Sequence, residues 1–90
     1  MGGHRRDKLE VMADILEVAL GGANKTRIMY RANLNFLRAN RYLSELLGIK
    51  LVVLERDSDG MALYRTTDEG RVFLRIVKRA EENLISELPV

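Results

Sequence analysis

Ninety residues, 47% of them apolar and 31% charged, suit one ordered domain, although a chain this short buries a smaller share of its surface than a longer one. It has no cysteine, so disulfides and thiolate metal sites are excluded, and no apolar run approaches the roughly 20 residues that span a bilayer. A net charge of +2 does not by itself indicate a polyanionic partner; the placement of the charges carries that information.

The opening, Met1-Gly2-Gly3-His4-Arg5-Arg6, leads into mixed-charge sequence and not into the apolar segment of a secretion signal, so a cytoplasmic location is expected. With Met1 removed, the terminal amine, two amide nitrogens and His4 would offer a square plane to Cu(II) or Ni(II). A frayed terminus is the simpler reading, and no metal is assigned. A first helix is predicted over Asp7 to Leu20. Leu9, Met12, Ala13, Leu16, Ala19 and Leu20 recur at helical spacing, with Glu10, Asp14 and Glu17 opposite. Gly21-Gly22 ends it.

Asn24 is a good N-cap for a second helix, Lys25 to Ala32, whose Ile28, Met29 and Ala32 turn toward the first. Asn33 suits a left-handed turn position, Leu34 tucks inward and Asn35 caps a third helix ending at Gly48. In that third helix Ala39, Tyr42, Leu43, Leu46 and Leu47 form one buried stripe. Asn35, Arg38, Asn40, Arg41 and Ser44 are left outside it. From Val18 to Ser44 there is no acidic residue, while the same stretch holds Lys25, Arg27, Arg31, Arg38 and Arg41. Two short helices joined by a tight turn, with a basic outer face, form a helix-turn-helix suited to a polyanion.

Leu51-Val52-Val53-Leu54-Glu55-Arg56 and Met61-Ala62-Leu63-Tyr64-Arg65-Thr66 read as two strands about the turn Asp57-Ser58-Asp59-Gly60. Helices followed by a hairpin give the order of a winged helix. Glu55, Asp57 and Asp59 would repel phosphate, so little contact is expected from this wing beyond Arg56 and Arg65. Thr67 is the expected N-cap of a last helix, with Asp68 and Glu69 in its first turn, running to about Leu88 before Pro89. At about 1.5 Å per residue it is roughly 30 Å long, more than the preceding residues can cover. Phe73, Ile76, Val77, Ala80, Leu84 and Leu88 are therefore assigned to a dimer interface. Arg75, Lys78 and Arg79 precede Glu81, Glu82 and Glu87, so an antiparallel pairing opposes unlike charges.

The segment Lys25-Thr26-Arg27-Ile28-Met29-Tyr30-Arg31-Ala32-Asn33-Leu34, then Tyr42-Leu43 and Leu46-Leu47, and finally Tyr64-Arg65-Thr66-Thr67-Asp68-Glu69-Gly70, resembles the archaeal winged helix-turn-helix family of small regulators and dimeric ten-kilodalton chromatin proteins. The resemblance implies an archaeal DNA-binding protein without enzymatic activity, dimeric through an antiparallel coiled coil of its last helix.

These readings give a mostly helical α+β fold, with residues 1–66 as a winged helix-turn-helix domain and 67–90 as a C-terminal dimerisation helix within one structural unit. The expected function is homodimeric binding of double-stranded DNA, as a transcription regulator or nucleoid protein, with the third helix in the major groove. Arg38, Asn40, Arg41 and Ser44 would read bases, and Lys25, Thr26, Arg27, Arg31, Asn35 and Arg56 would hold phosphates. An alternative is a protein-interaction module of the transcription machinery, suggested by Phe36 and Leu37 near the exposed start of the third helix. No nucleophile and base pair, glycine-rich phosphate loop or metal-ligand cluster is present, so neither an enzyme, a cofactor nor a small-molecule ligand is expected.

Overall fold

The computed structural model describes the backbone of residues 7–86 and the side chains of residues 7–83. The described residues form α1 (Lys8–Val18), α2 (Lys25–Arg31), α3 (Phe36–Gly48), strand β1 (Val52–Arg56), strand β2 (Ala62–Thr66) and α4 (Asp68–Ser86). This is the mostly helical α+β order expected from the sequence.

Each helix starts where a short polar side chain can take an orphan backbone N–H. The Asp7 carboxylate accepts from Glu10 N and Glu10 answers to Asp7 N, a reciprocal cap. Asn24 and Asn35 accept from the N–H groups of Arg27 and Arg38, each at 2.8 Å. Thr67 Oγ1 accepts from Gly70 N and donates to the carbonyl of Lys50.

The ends of α2 and α3 are alike. After α2, Asn33 is left-handed at φ 57°, and Leu34 N reaches back to Met29 O at 2.8 Å. After α3 the same closure is made by Lys50 at φ 65°, with Leu51 N bonded to Leu46 O at 2.9 Å. Gly48, the expected terminator, is the last helical residue, and lysine holds the left-handed position two residues later.

Helix α1 is the centre of the core. Val11, Ile15 and Leu16 are fully buried, and Met12 and Ala13 nearly so, against Ile28, Leu34, Ala39, Leu43, Leu46, Leu51, Val52 and Leu74. The apolar face is thus wider than the spacing of Met12, Ala13 and Leu16 predicts, because α4, α2 and β2 all pack against α1. Leu9, expected inside, is 51% exposed.

The hairpin is antiparallel, in register from Val52 opposite Thr66 to Arg56 opposite Ala62. Ala23 adds a short bridge to Tyr64, with both hydrogen bonds made. Thr66 is buried. Its hydroxyl donates to Leu16 O at 2.7 Å and its N–H to Ala19 O at 3.0 Å, so the base of the hairpin satisfies carbonyls at the end of α1.

Gly70 sits where α4 passes the entry to β1. A Cβ there would lie 2.2 Å from the Leu51 carbonyl oxygen, so no side chain fits. Helix α4 then leaves the domain: Leu74 is buried and Phe73 and Val77 are half-buried, whereas every described residue from Lys78 onward is exposed.

Candidate nucleic-acid interface

The outer surface of α2, its turn and α3 gathers most of the expected contacts. Thr26, Arg27, Arg31, Asn35, Arg38, Arg41 and Ser44 are exposed, and Lys25 and Asn40 are partly so. Stepping by three and four residues along α3 aligns Arg38, Arg41 and Glu45 in one row and Leu37, Asn40 and Ser44 in the next. Their placement follows from the burial of Ala39, Leu43 and Leu46, which fixes the rotation of α3 about its axis.

The ion pairs among the described residues use Lys8, Arg65, Arg71 and Lys78, and none engages Arg27, Arg31, Arg38 or Arg41. Glu45, the one acid of α3, is held by Lys8 from the start of α1 at 2.6 Å. This pairing of residues 37 positions apart carries no signal in local sequence. The carboxylate, by hydrogen bond and by charge, raises the Lys8 ammonium above the ordinary lysine value. Lys8, Arg38, Arg41, Tyr42 and Glu45 together line an open polar groove of about 300 Å³ on the flank of α3.

Two of the basic groups lie over aromatic rings. Lys25 Nζ is 5.1 Å from the centre of the Phe36 ring, and the Arg38 guanidinium is 6.0 Å from that of Tyr42. Phe36 therefore meets the second helix through a cation, while Leu37 is left 76% exposed. Asn35 uses its carbonyl oxygen as a cap.

The wing is differently arranged. Arg56 donates from Nη1 to Gly60 O at 2.8 Å, and Arg65 is paired with Glu55 at 2.7 Å. Asp57 accepts from the N–H groups of Asp59 and Met61, which makes it a turn former.

On α4 the six residues assigned to a dimer interface divide. Phe73 and Val77 pack against the chain's own core, and Ile76 (62%) and Ala80 are exposed. The side chain of Leu84 and the whole of Leu88 lie outside the described residues, as does His4. Leu9 joins Ile76, Val77 and Ala80 along an apolar groove of about 260 Å³ between α1 and α4, and Val72 is 48% exposed nearby. Lys78 bonds to Glu17 of its own α1 at 2.7 Å, and this contact raises its ammonium too above the lysine norm.

A family profile described as "Winged helix-turn-helix" matches residues 5–84. The chain belongs to the winged helix-turn-helix family. In this winged helix, α2 and α3 are the helix-turn-helix and β1–β2 the wing. Among solved structures, it is similar to Sso10a-2, a DNA-binding protein from Sulfolobus solfataricus, at 27% identity and a TM-score of 0.74, over 90% of this chain and 87% of that one. The fold is shared with the PcaV transcriptional regulator of Streptomyces coelicolor, seen with its natural ligand, at 24% identity and TM-score 0.67. It is shared also with MepR, a transcription regulator of a multidrug efflux pump in Staphylococcus aureus, at 18% and 0.65. This chain aligns over 88% of its length with each, spanning 62% of PcaV and 64% of MepR. A search of curated proteins found no match. No helix among the described residues is long and apolar enough to cross a membrane, and no cluster of His, Cys, Asp or Glu among them is able to hold a metal.

Proposed function

We propose that this winged helix binds double-stranded DNA as a homodimer, with α3 in the major groove, in the role of a transcription regulator or nucleoid protein. The observation that carries the reading is the outer face of α2 and α3. It exposes Arg27, Arg31, Arg38 and Arg41 without a carboxylate partner among the described residues, and its lone acid is already neutralised by Lys8. An α-helix about 10–12 Å across fits a major groove about 12 Å wide, which brings Arg38, Asn40, Arg41 and Ser44 to base edges. Lys25, Thr26, Arg27, Arg31 and Asn35 then meet phosphates, and Arg56 contributes from the wing. Exposed Leu37, beside Asn40 on the helix, suits contact with a thymine methyl group. The DNA-binding description of Sso10a-2 supports the same class of ligand.

Homodimerisation is supported by the exposed Val72, Ile76 and Ala80 of α4, continued by exposed Leu9 of α1 across the groove between the two helices. Replacing both Arg38 and Arg41 by Glu is expected to abolish binding to a short fluorescent duplex in an anisotropy titration, with the circular dichroism spectrum preserved. Unchanged affinity would remove α3 as the reader. For the parent, about five phosphates neutralised correspond to a fall of log K with log salt at a slope of roughly 4 to 5.

A further inference from the structure

We infer that Lys8, at the start of α1, is a DNA-phosphate contact, and that Glu45 of α3 sets its strength by holding the same ammonium. The inference rests on the DNA-binding reading above. It adds a residue from outside the helix-turn-helix and gives the single acid of α3 a task.

The geometry has three parts. Lys8, Arg38 and Arg41 border one open groove with Tyr42, three cations against the one carboxylate of Glu45. Lys8 Nζ is 2.6 Å from Glu45 Oε2, which pins the ammonium beside the second half of α3, yet its side chain stays 60% exposed and that of Glu45 42%. An ammonium has three donors, and one is spent on Glu45, leaving others for an oxygen arriving from solvent. A helix seated in the major groove nearly fills its width, so a cation carried on the flank of that helix faces the bordering sugar-phosphate strand.

Glu45 is close enough to compete. A carboxylate in the groove lining repels an approaching phosphate and shares the ammonium with it, so it weakens the contact while keeping Lys8 in place. The pair thus lowers affinity for DNA backbone in general without touching the base-reading side chains.

Three variants separate this from a purely structural tie between α1 and α3. Duplex binding is followed by anisotropy across a salt series for Glu45→Gln, for Lys8→Ala/Glu45→Gln and, as a reference, for Arg38→Ala. Glu45→Gln is expected to bind several-fold more tightly than the parent. Adding Lys8→Ala in that background, where no carboxylate is left to be exposed, is expected to weaken binding several-fold and to make the log K against log salt slope shallower by about 0.9, the value of one phosphate. If the double variant matches Glu45→Gln in affinity and slope while Arg38→Ala binds weakly, Lys8 only screens Glu45 and the inference is overturned. If the parent and Glu45→Gln do not bind duplex at all, the DNA-binding reading itself falls; if they bind and Arg38→Ala is also silent, the placing of α3 against DNA falls. Thermal melts of each variant confirm the fold, and because both side chains are exposed, unfolding is not the expected outcome.

Discussion

Two glycines and a lysine show how much a single position can depend on its surroundings. Gly48 is helical with open space where a Cβ would project, so Gly48→Ala is expected to raise unfolding free energy by about 0.5–1 kcal/mol. Gly70 is helical too, but a Cβ there would meet the Leu51 carbonyl oxygen. Gly70→Ala is therefore expected to destabilise by more than about 2 kcal/mol, with urea unfolding as the measurement for both. Lys50 stands at φ 65°, where L side chains strain, and Lys50→Gly should recover up to about 1 kcal/mol. Asn24, Asn33, Asn35 and Thr67 are legible in the sequence because a cap or a left-handed turn is decided within three residues. The need for glycine at residue 70 is not legible, since it arises from a carbonyl nineteen positions earlier in the chain. Lys50 is hidden for another reason: Gly48 is the better left-handed residue, but the closing bonds from Lys50 to Leu47 and Leu51 to Leu46 fix the stop two residues further on.

Among the elements, α1 and α4 are joined through Leu74 and half-buried Phe73 and Val77, and at the surface by Lys78 and Glu17. The Lys78 and Lys8 ammonium groups are both held above the ordinary lysine pKa by their carboxylate partners. A raised lysine pKa stabilises the fold fully below the unfolded value of about 10.4 and is lost as pH climbs through the folded one. The melting temperature of the parent should thus exceed that of Lys8→Met/Lys78→Met at neutral pH, and the gap should close as pH rises above about 10.4. Both groups are exposed, so the gap is small. The existence and order of all these elements follow from periodicity and turn chemistry. The breadth of the buried face of α1 does not. Val11 and Ile15 fall between the expected stripe and the acids, and they are buried because α4, α2 and β2 pack against α1 together.

For the molecule as a whole, the composition of the basic stretch is visible in the sequence, and the structure adds which groups it leaves uncommitted. Among the described residues Arg38 and Arg41 stay clear of carboxylates, whereas in the wing Arg65 is paired with Glu55 and Arg56 spends one N–H on the Gly60 carbonyl and keeps its others. The far half of α4 remains uncovered, with a radius of gyration of 14.3 Å against about 12 Å for a compact chain of this length. In the proposed dimer that surface is the shared one. Ile76→Glu should then convert a dimer mass to a monomer mass in light scattering and weaken DNA binding through lost avidity, while leaving the core, which does not contain Ile76, intact.

The close approach of Gly70 to Leu51, with the bonds from Thr67 to the carbonyls of Lys50 and Leu51, ties the start of the last helix to the entry of the wing. If two such chains join through α4, the paired arm acts as a ruler: one residue inserted between Gly70 and Phe73 would swing each reading head by about 100° around the arm. The distance and phase between the two DNA segments bound are then written into the length of that helix, and a partner site out of phase by half a turn would be refused.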